Sequence, residues 1–82
     1  MLHIDEPVRV GAIFAPNQPI KPVWFDRRGH KHAIQEVTYR WRENAGSTTT
    51  LHFAVSDGTA LFELVYDTEK LSWSLAALEE TR

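Results

Sequence analysis

Few side chains in this chain of 82 residues could make or break bonds, for it has four histidines and no cysteine. Without thiolates, a disulfide framework and a sulfur-ligated zinc site are both excluded. His30 and His32 stand two apart, so on a strand their imidazoles share one face, with His52 a distant third candidate. A metal there needs a third converging ligand and acceptors behind the imidazoles, and no such spacing is present. His30 is better explained as a turn residue, and His32 as an inward residue opposite Phe25 with a ring nitrogen bonded to a backbone carbonyl. Ser56-Asp57-Gly58 sets a hydroxyl beside a carboxylate, yet acyl transfer needs nucleophile, base and orienting group in mutual reach. Asp-Gly is first of all a hairpin signal. The four glycines are too scattered to form a phosphate-cradling loop. No enzyme, no metal and no cofactor is expected.

Charge is more informative. The chain carries a formal net charge of −2, too mild to announce a nucleic-acid or membrane partner. Its distribution is uneven: Lys21 to Arg42 holds six basic and two acidic residues, whereas Glu43 onward holds two basic and seven acidic. Halves of opposite sign hint at a directional partner surface. Alternation places Trp24, Arg28, Lys31, Arg40 and Arg42 together on the outer side of two neighbouring strands. Basic side chains around an exposed tryptophan hold phosphates and stack a base, as in single-stranded nucleic-acid binding. The plainer alternative is a solvated face whose tryptophan packs under arginine stems or the proline-rich loop. A second odd surface is apolar, with Ala54, Leu61 and Val65 facing outward. Either the C-terminal Leu75-Ala76-Ala77-Leu78 folds back over it, or a second protomer or another protein covers it. The expected function is a non-catalytic protein-interaction or self-associating module, with a weak single-stranded nucleic-acid binder as the alternative.

The elements that position these residues repeat with a period of two. Val8, Val10, Ala12 and Phe14 mark one strand; three prolines within residues 16–22 mark an irregular connection. Further strands are expected from Val23 to Arg28, Lys31 to Glu43, Thr49 to Ser56, Thr59 to Asp67 and Leu71 to about Ala76, separated by turn residues. An Asp57-Gly58 loop pairs Val55 with Ala60, Phe53 with Phe62 and Leu51 with Leu64, leaving Ala54, His52 and Thr50 opposite Leu61, Glu63 and Val65. A Thr68-Glu69 loop sets Tyr66 against Leu71, Leu64 against Trp73 and Phe62 against Leu75, so both hairpins turn the same side of the shared strand inward. An Arg28-Gly29 loop pairs Phe25 with His32 and Val23 with Ile34. Ile34 and Val37 have opposite parity, and a β-bulge near Gln35-Glu36 keeps both inside.

Gly29, Glu36-Val37, Trp41-Arg42-Glu43, Phe62-Glu63-Leu64-Val65-Tyr66-Asp67 and Leu71-Ser72-Trp73-Ser74-Leu75 together resemble a bacterial family of small all-β domains of unknown function. The likeness runs over roughly residues 22–75 and rests on core aromatics and turns; it implies no activity that can be carried over. His32 departs from it, standing where the family has an aromatic residue, and residues 44–53 lack the family's tryptophan and arginine.

The expected architecture is one all-β domain spanning residues 1–82, a six-strand antiparallel meander curled into a small barrel or half-barrel of SH3-like size. Its expected core is Val8, Val10, Phe14, Val23, Phe25, Val37, Tyr39, Trp41, Leu51, Phe53, Val55, Phe62, Leu64, Tyr66, Leu71, Trp73 and Leu75. No apolar run approaches a membrane span, and the N-terminus is acidic where a secretion signal is basic, so a cytoplasmic location is expected.

Overall fold

A computed structural model describes residues 2–80. Eight strands are present: β1 (Leu2–Pro7), β2 (Arg9–Ile13), β3 (Lys21–Arg27), β4 (His30–Ala33), β5 (Glu36–Ala45), β6 (Thr48–Ser56), β7 (Ala60–Asp67) and β8 (Ser72–Glu80). They form a five-stranded antiparallel sheet, ordered β1-β8-β7-β6-β5, and a three-stranded one, ordered β2-β3-β4. The all-β reading is correct. The six-strand meander and the barrel are not, because the two sheets do not close on each other.

The count differs for two reasons. Leu2–Pro7 pairs with β8, a strand that its acidic, alternation-poor sequence did not announce. The single strand expected over 31–43 is two strands on different sheets. At the junction Ile34 N–H donates to Val23 O (3.0 Å) and the next residue, Gln35 N–H, donates to Ser56 O (2.8 Å). Consecutive amides thus serve β3 and β6 in turn, and the chain crosses from one sheet to the other. The bend lies where a bulge was expected, and Ile34 does pack against the core.

Register explains the hairpins. The β3–β4 pairing is as expected, with Phe25 opposite His32, and both loop residues Arg28 (φ 54°) and Gly29 (φ 82°) are left-handed, the mark of a type I′ turn. Both later hairpins are looser by one pair: Val55 faces Phe62, Phe53 faces Leu64 and Leu64 faces Leu75. One device widens both. Asp57 Oδ1 accepts the amides of Thr59 and Ala60, each at 2.9 Å, and Asp67 Oδ1 accepts those of Glu69 and Lys70, each at 2.9 Å. An aspartate that caps its own turn draws two more residues into the loop. A slip of two preserves side-chain parity, so the core face is unaltered up to Leu64 and Leu75; beyond them a bulge at Ala76 sets Phe62 against Leu78, where Leu75 was expected.

That core is Phe25, Phe53, Val55, Ala60, Phe62, Leu64 and Leu75, with Val8, Val10, Val37, Leu51, Tyr66 and Trp73 half-buried against it. Phe25 is the link between the sheets: fully buried, it meets Phe62 edge-on at 4.8 Å and stacks on His32 at 4.8 Å. Phe14 and Leu71, expected inside, are 61% and 71% exposed. Phe14 lies beyond the end of β2 and meets Tyr66 in a T-shaped contact, and Leu71 occupies a left-handed loop position (φ 55°). Tyr39 and Trp41 leave the core for another reason. A bulge at Thr38, whose hydroxyl donates to Ala54 O (3.1 Å), adds one residue between Val37 and Tyr39 and reverses the parity of everything after it.

Gly58 is left-handed (φ 99°), and a β-carbon there would crowd the Gln35 amide. Gly58→Val is expected to cost about 1 kcal/mol or more, read as a lower urea midpoint with an unchanged slope. An unaltered midpoint would show that the loop adapts freely.

Candidate functional site

The Thr38 bulge decides what each surface offers. Opposite Ala54 and His52 on the outer face of the five-stranded sheet now stand Tyr39 and Trp41, while Arg40 and Arg42 oppose Phe53 and Leu51 on the inner face. The expected basic face is therefore divided. Trp24 and Lys31 lie on the outer side of the three-stranded sheet, and Arg28 lies in the β3–β4 turn, 3.4 Å from Glu6. Arg40 and Arg42 belong to the other sheet and point to its inner side.

Trp24 is already occupied. Its ring lies across Gly11, which leaves no room for even a β-carbon, with Lys31 Nζ 4.5 Å and Arg9 Cζ 5.8 Å from its centroid. Arg9 is held in turn by Asp26 at 2.7 Å. The indole packs under cationic side chains, the plainer of the two readings. Asp26 sits below its ordinary pKa, chiefly through that Arg9 hydrogen bond.

The apolar patch is where alternation placed it. Ala54, Leu61 and Val65 share the outer face of the five-stranded sheet, each half-buried. The C-terminal segment does not cover them: residues 76–80 continue β8 between β7 and β1, and residues 81–82 lie outside the described residues. Tyr39 and Trp41 extend the patch, their rings 5.6 Å apart, and Trp41 stacks on His52 at 5.0 Å. Around this centre the same face presents Glu36, Glu43, Glu63 and Glu79, and none of its strand residues is lysine or arginine.

Beneath Trp41, His52 is 8% exposed and fully bonded. Its Nδ1–H donates to Glu63 (3.1 Å), and Nε2 lies 2.9 Å from the Thr50 hydroxyl and 3.6 Å from Glu43. Hydroxyl, imidazole and carboxylate follow in the order of an acyl-transfer triad. However, β6 is paired on both sides, so its own amides serve the ladders and are not oxyanion donors. The network satisfies a histidine that its neighbours cover. The sequence held half of the signal, because Thr50, His52 and Glu63 share a parity, but the covering tryptophan depends on the bulge. His32 is satisfied similarly: Nδ1 donates to Asp57 Oδ2 (3.1 Å), a carboxylate and not the backbone carbonyl expected. Among the described residues no group of three or more histidines and carboxylates is arranged to hold a metal ion.

On the inner side, the connection between β2 and β3 and strand β5 enclose an open groove of about 400 Å³. Gln18, Pro19 and Ile20 line it from the connection, and Arg40, Trp41, Arg42, Leu51, His52 and Phe53 line it from β5 and β6. The Arg40 guanidinium lies 5.8 Å from the Phe53 ring centroid.

Compared with models of protein families, with curated proteins and with solved structures, the chain has no match. Among the described residues no helix is long and apolar enough to cross a membrane.

Proposed function

We propose that this domain is a non-catalytic protein-interaction module whose partner docks on the outer face of the five-stranded sheet. The observation that carries the reading is an uncovered aromatic and apolar centre inside a rim of one sign. Tyr39 is 66% exposed, Trp41, Leu61 and Val65 are half-buried beside it, and the charged strand residues of the face are all acidic. Aromatic and apolar area supplies affinity, and the carboxylates select the charge of what approaches. The matching partner is a protein segment with arginine or lysine among apolar side chains. Its cations stack on Trp41 and Tyr39, and its stems cover Leu61 and Val65. A second copy of the chain fits less well, because it would bring the same carboxylates against themselves. Single-stranded nucleic acid is a poorer match still, since phosphates meet an acidic face here and the expected basic face is divided.

A fluorescein-labelled peptide alternating arginine and valine tests the reading by anisotropy. Saturable binding that weakens with salt is expected, and Trp41→Ser combined with Leu61→Ser should reduce affinity about tenfold. Binding unaffected by that pair, or none at low salt, rejects the reading. A wild-type dimer that Leu61→Glu converts to monomer would replace it with self-association.

A further inference from the structure

We infer that the groove beside β5 is a second binding site, which takes an extended, acidic peptide segment added as a sixth strand to the five-stranded sheet. Strand β5 ends that sheet, so over Glu36–Ala45 one side of its backbone has no strand partner. Such an edge presents unpaired amides and carbonyls to any extended chain that can approach. Side chains from the groove then determine which chain is accepted.

Arg40 and Arg42 make that selection. Each of the other described arginines has a carboxylate: Arg9 has Asp26, and Arg27 and Arg28 share Glu6. Among the described residues Arg40 and Arg42 have none, although this is a net-acidic chain, and no aspartate or glutamate lines the groove they enter. Standing two apart on one strand, they are separated by about 6.7 Å, which is also the spacing of positions i and i+2 on an added strand. Carboxylates at i and i+2 of the incoming segment therefore meet both guanidiniums at once, in the paired geometry arginine offers. The residue between them and the two that adjoin the pair face the other way, and the positions two beyond each carboxylate share the groove side with it.

A second copy of this chain is a worse occupant. Antiparallel pairing of two β5 edges about Trp41 would set Arg40 against Arg42 of the other copy, and like charges directly opposite are destabilising. The occupant is a partner protein's segment with the pattern acidic-x-acidic among β-forming residues. The arginines that select the segment lie on the opposite side of the sheet from the acidic face and choose the opposite charge. Trp41 and His52 border both sites, but the arginine substitutions leave Trp41 and Leu61 in place, so failure of one reading is distinct from failure of the other.

The test uses a fluorescein-labelled peptide, Thr-Val-Glu-Val-Glu-Val-Thr, titrated with the whole domain at low salt. Saturable binding is expected, with affinity lowered about tenfold or more by Arg40→Gln combined with Arg42→Gln, as loss of two charge-assisted contacts requires. The peptide can also be altered while the protein stays wild type, which separates binding from folding. Glutamine in place of both glutamates should lose the same affinity, and N-methylation of alternate backbone amides on the edge-facing side should abolish binding. Absence of binding overturns the inference. So does binding indifferent to the arginines or to N-methylation, and so does displacement at far lower concentration by a single-stranded oligonucleotide of equal charge, which would mark a phosphate site.

Discussion

Phe25→Ala is expected to remove cooperative unfolding altogether or to lower the thermal midpoint by about 15 °C or more. Truncating a buried phenylalanine costs about 3–5 kcal/mol, and one kcal/mol shifts the midpoint of a domain of this size by about 4–8 °C. The whole stability of such a domain is about 5–15 kcal/mol, so the loss is a large share of it. The position is demanding because Phe25 joins two sheets: its ring closes on Phe62 of one and on His32 of its own. Thermal circular dichroism is the measurement, with Phe14→Ala as its contrast. Phe14 is 61% exposed and meets Tyr66 in a T-shaped contact at 6.1 Å, so its loss should move the midpoint by no more than a few degrees. Equal effects for the two variants would mean that the sheets do not depend on the Phe25 contact.

Asp57→Ala is the second large effect, expected at about 2–3 kcal/mol, because one carboxylate there satisfies several donors at once. Its partners are the amides of Thr59 and Ala60, the Thr59 hydroxyl and the His32 ring. Burial raises the Asp57 pKa, but those hydrogen bonds outweigh it and hold the group at about 2 against an ordinary 3.8. The unfolded chain therefore binds the proton more readily, and stability rises with pH across this interval. The contribution is complete above the ordinary value and is lost as pH falls through about 2. Urea midpoints of wild type and Asp57→Ala should accordingly converge between about pH 4 and pH 2. A difference that stays constant over that range would assign the effect to packing and not to the charge.

Part of this arrangement is written in the sequence. Its alternation determined the faces of β6 and β7, so Phe53, Val55, Phe62 and Leu64 are inside and Ala54, Leu61 and Val65 are outside, as expected. It also determined the β3–β4 hairpin, since Arg28-Gly29 closes a two-residue turn on local backbone preferences alone. Even the mistaken loop lengths at Asp57 and Asp67 did no harm, because a slip of two residues keeps every side chain on its face.

Only the tertiary structure decided the surfaces. One extra residue at Thr38 exchanges Tyr39 and Trp41 for Arg40 and Arg42, and with that exchange the expected basic face becomes an acidic, aromatic face and a separate arginine groove. No residue type marks a bulge, and Val37, Tyr39 and Trp41 alternate faultlessly as written. The bulge at Thr38 gives each side of β5 the neighbours it then packs on. On the outer side the tryptophan stacks on His52, and on the inner side the Arg40 guanidinium meets Phe53. Such preferences belong to partners distant in the chain, and a pattern of period two read along one strand contains no information about them.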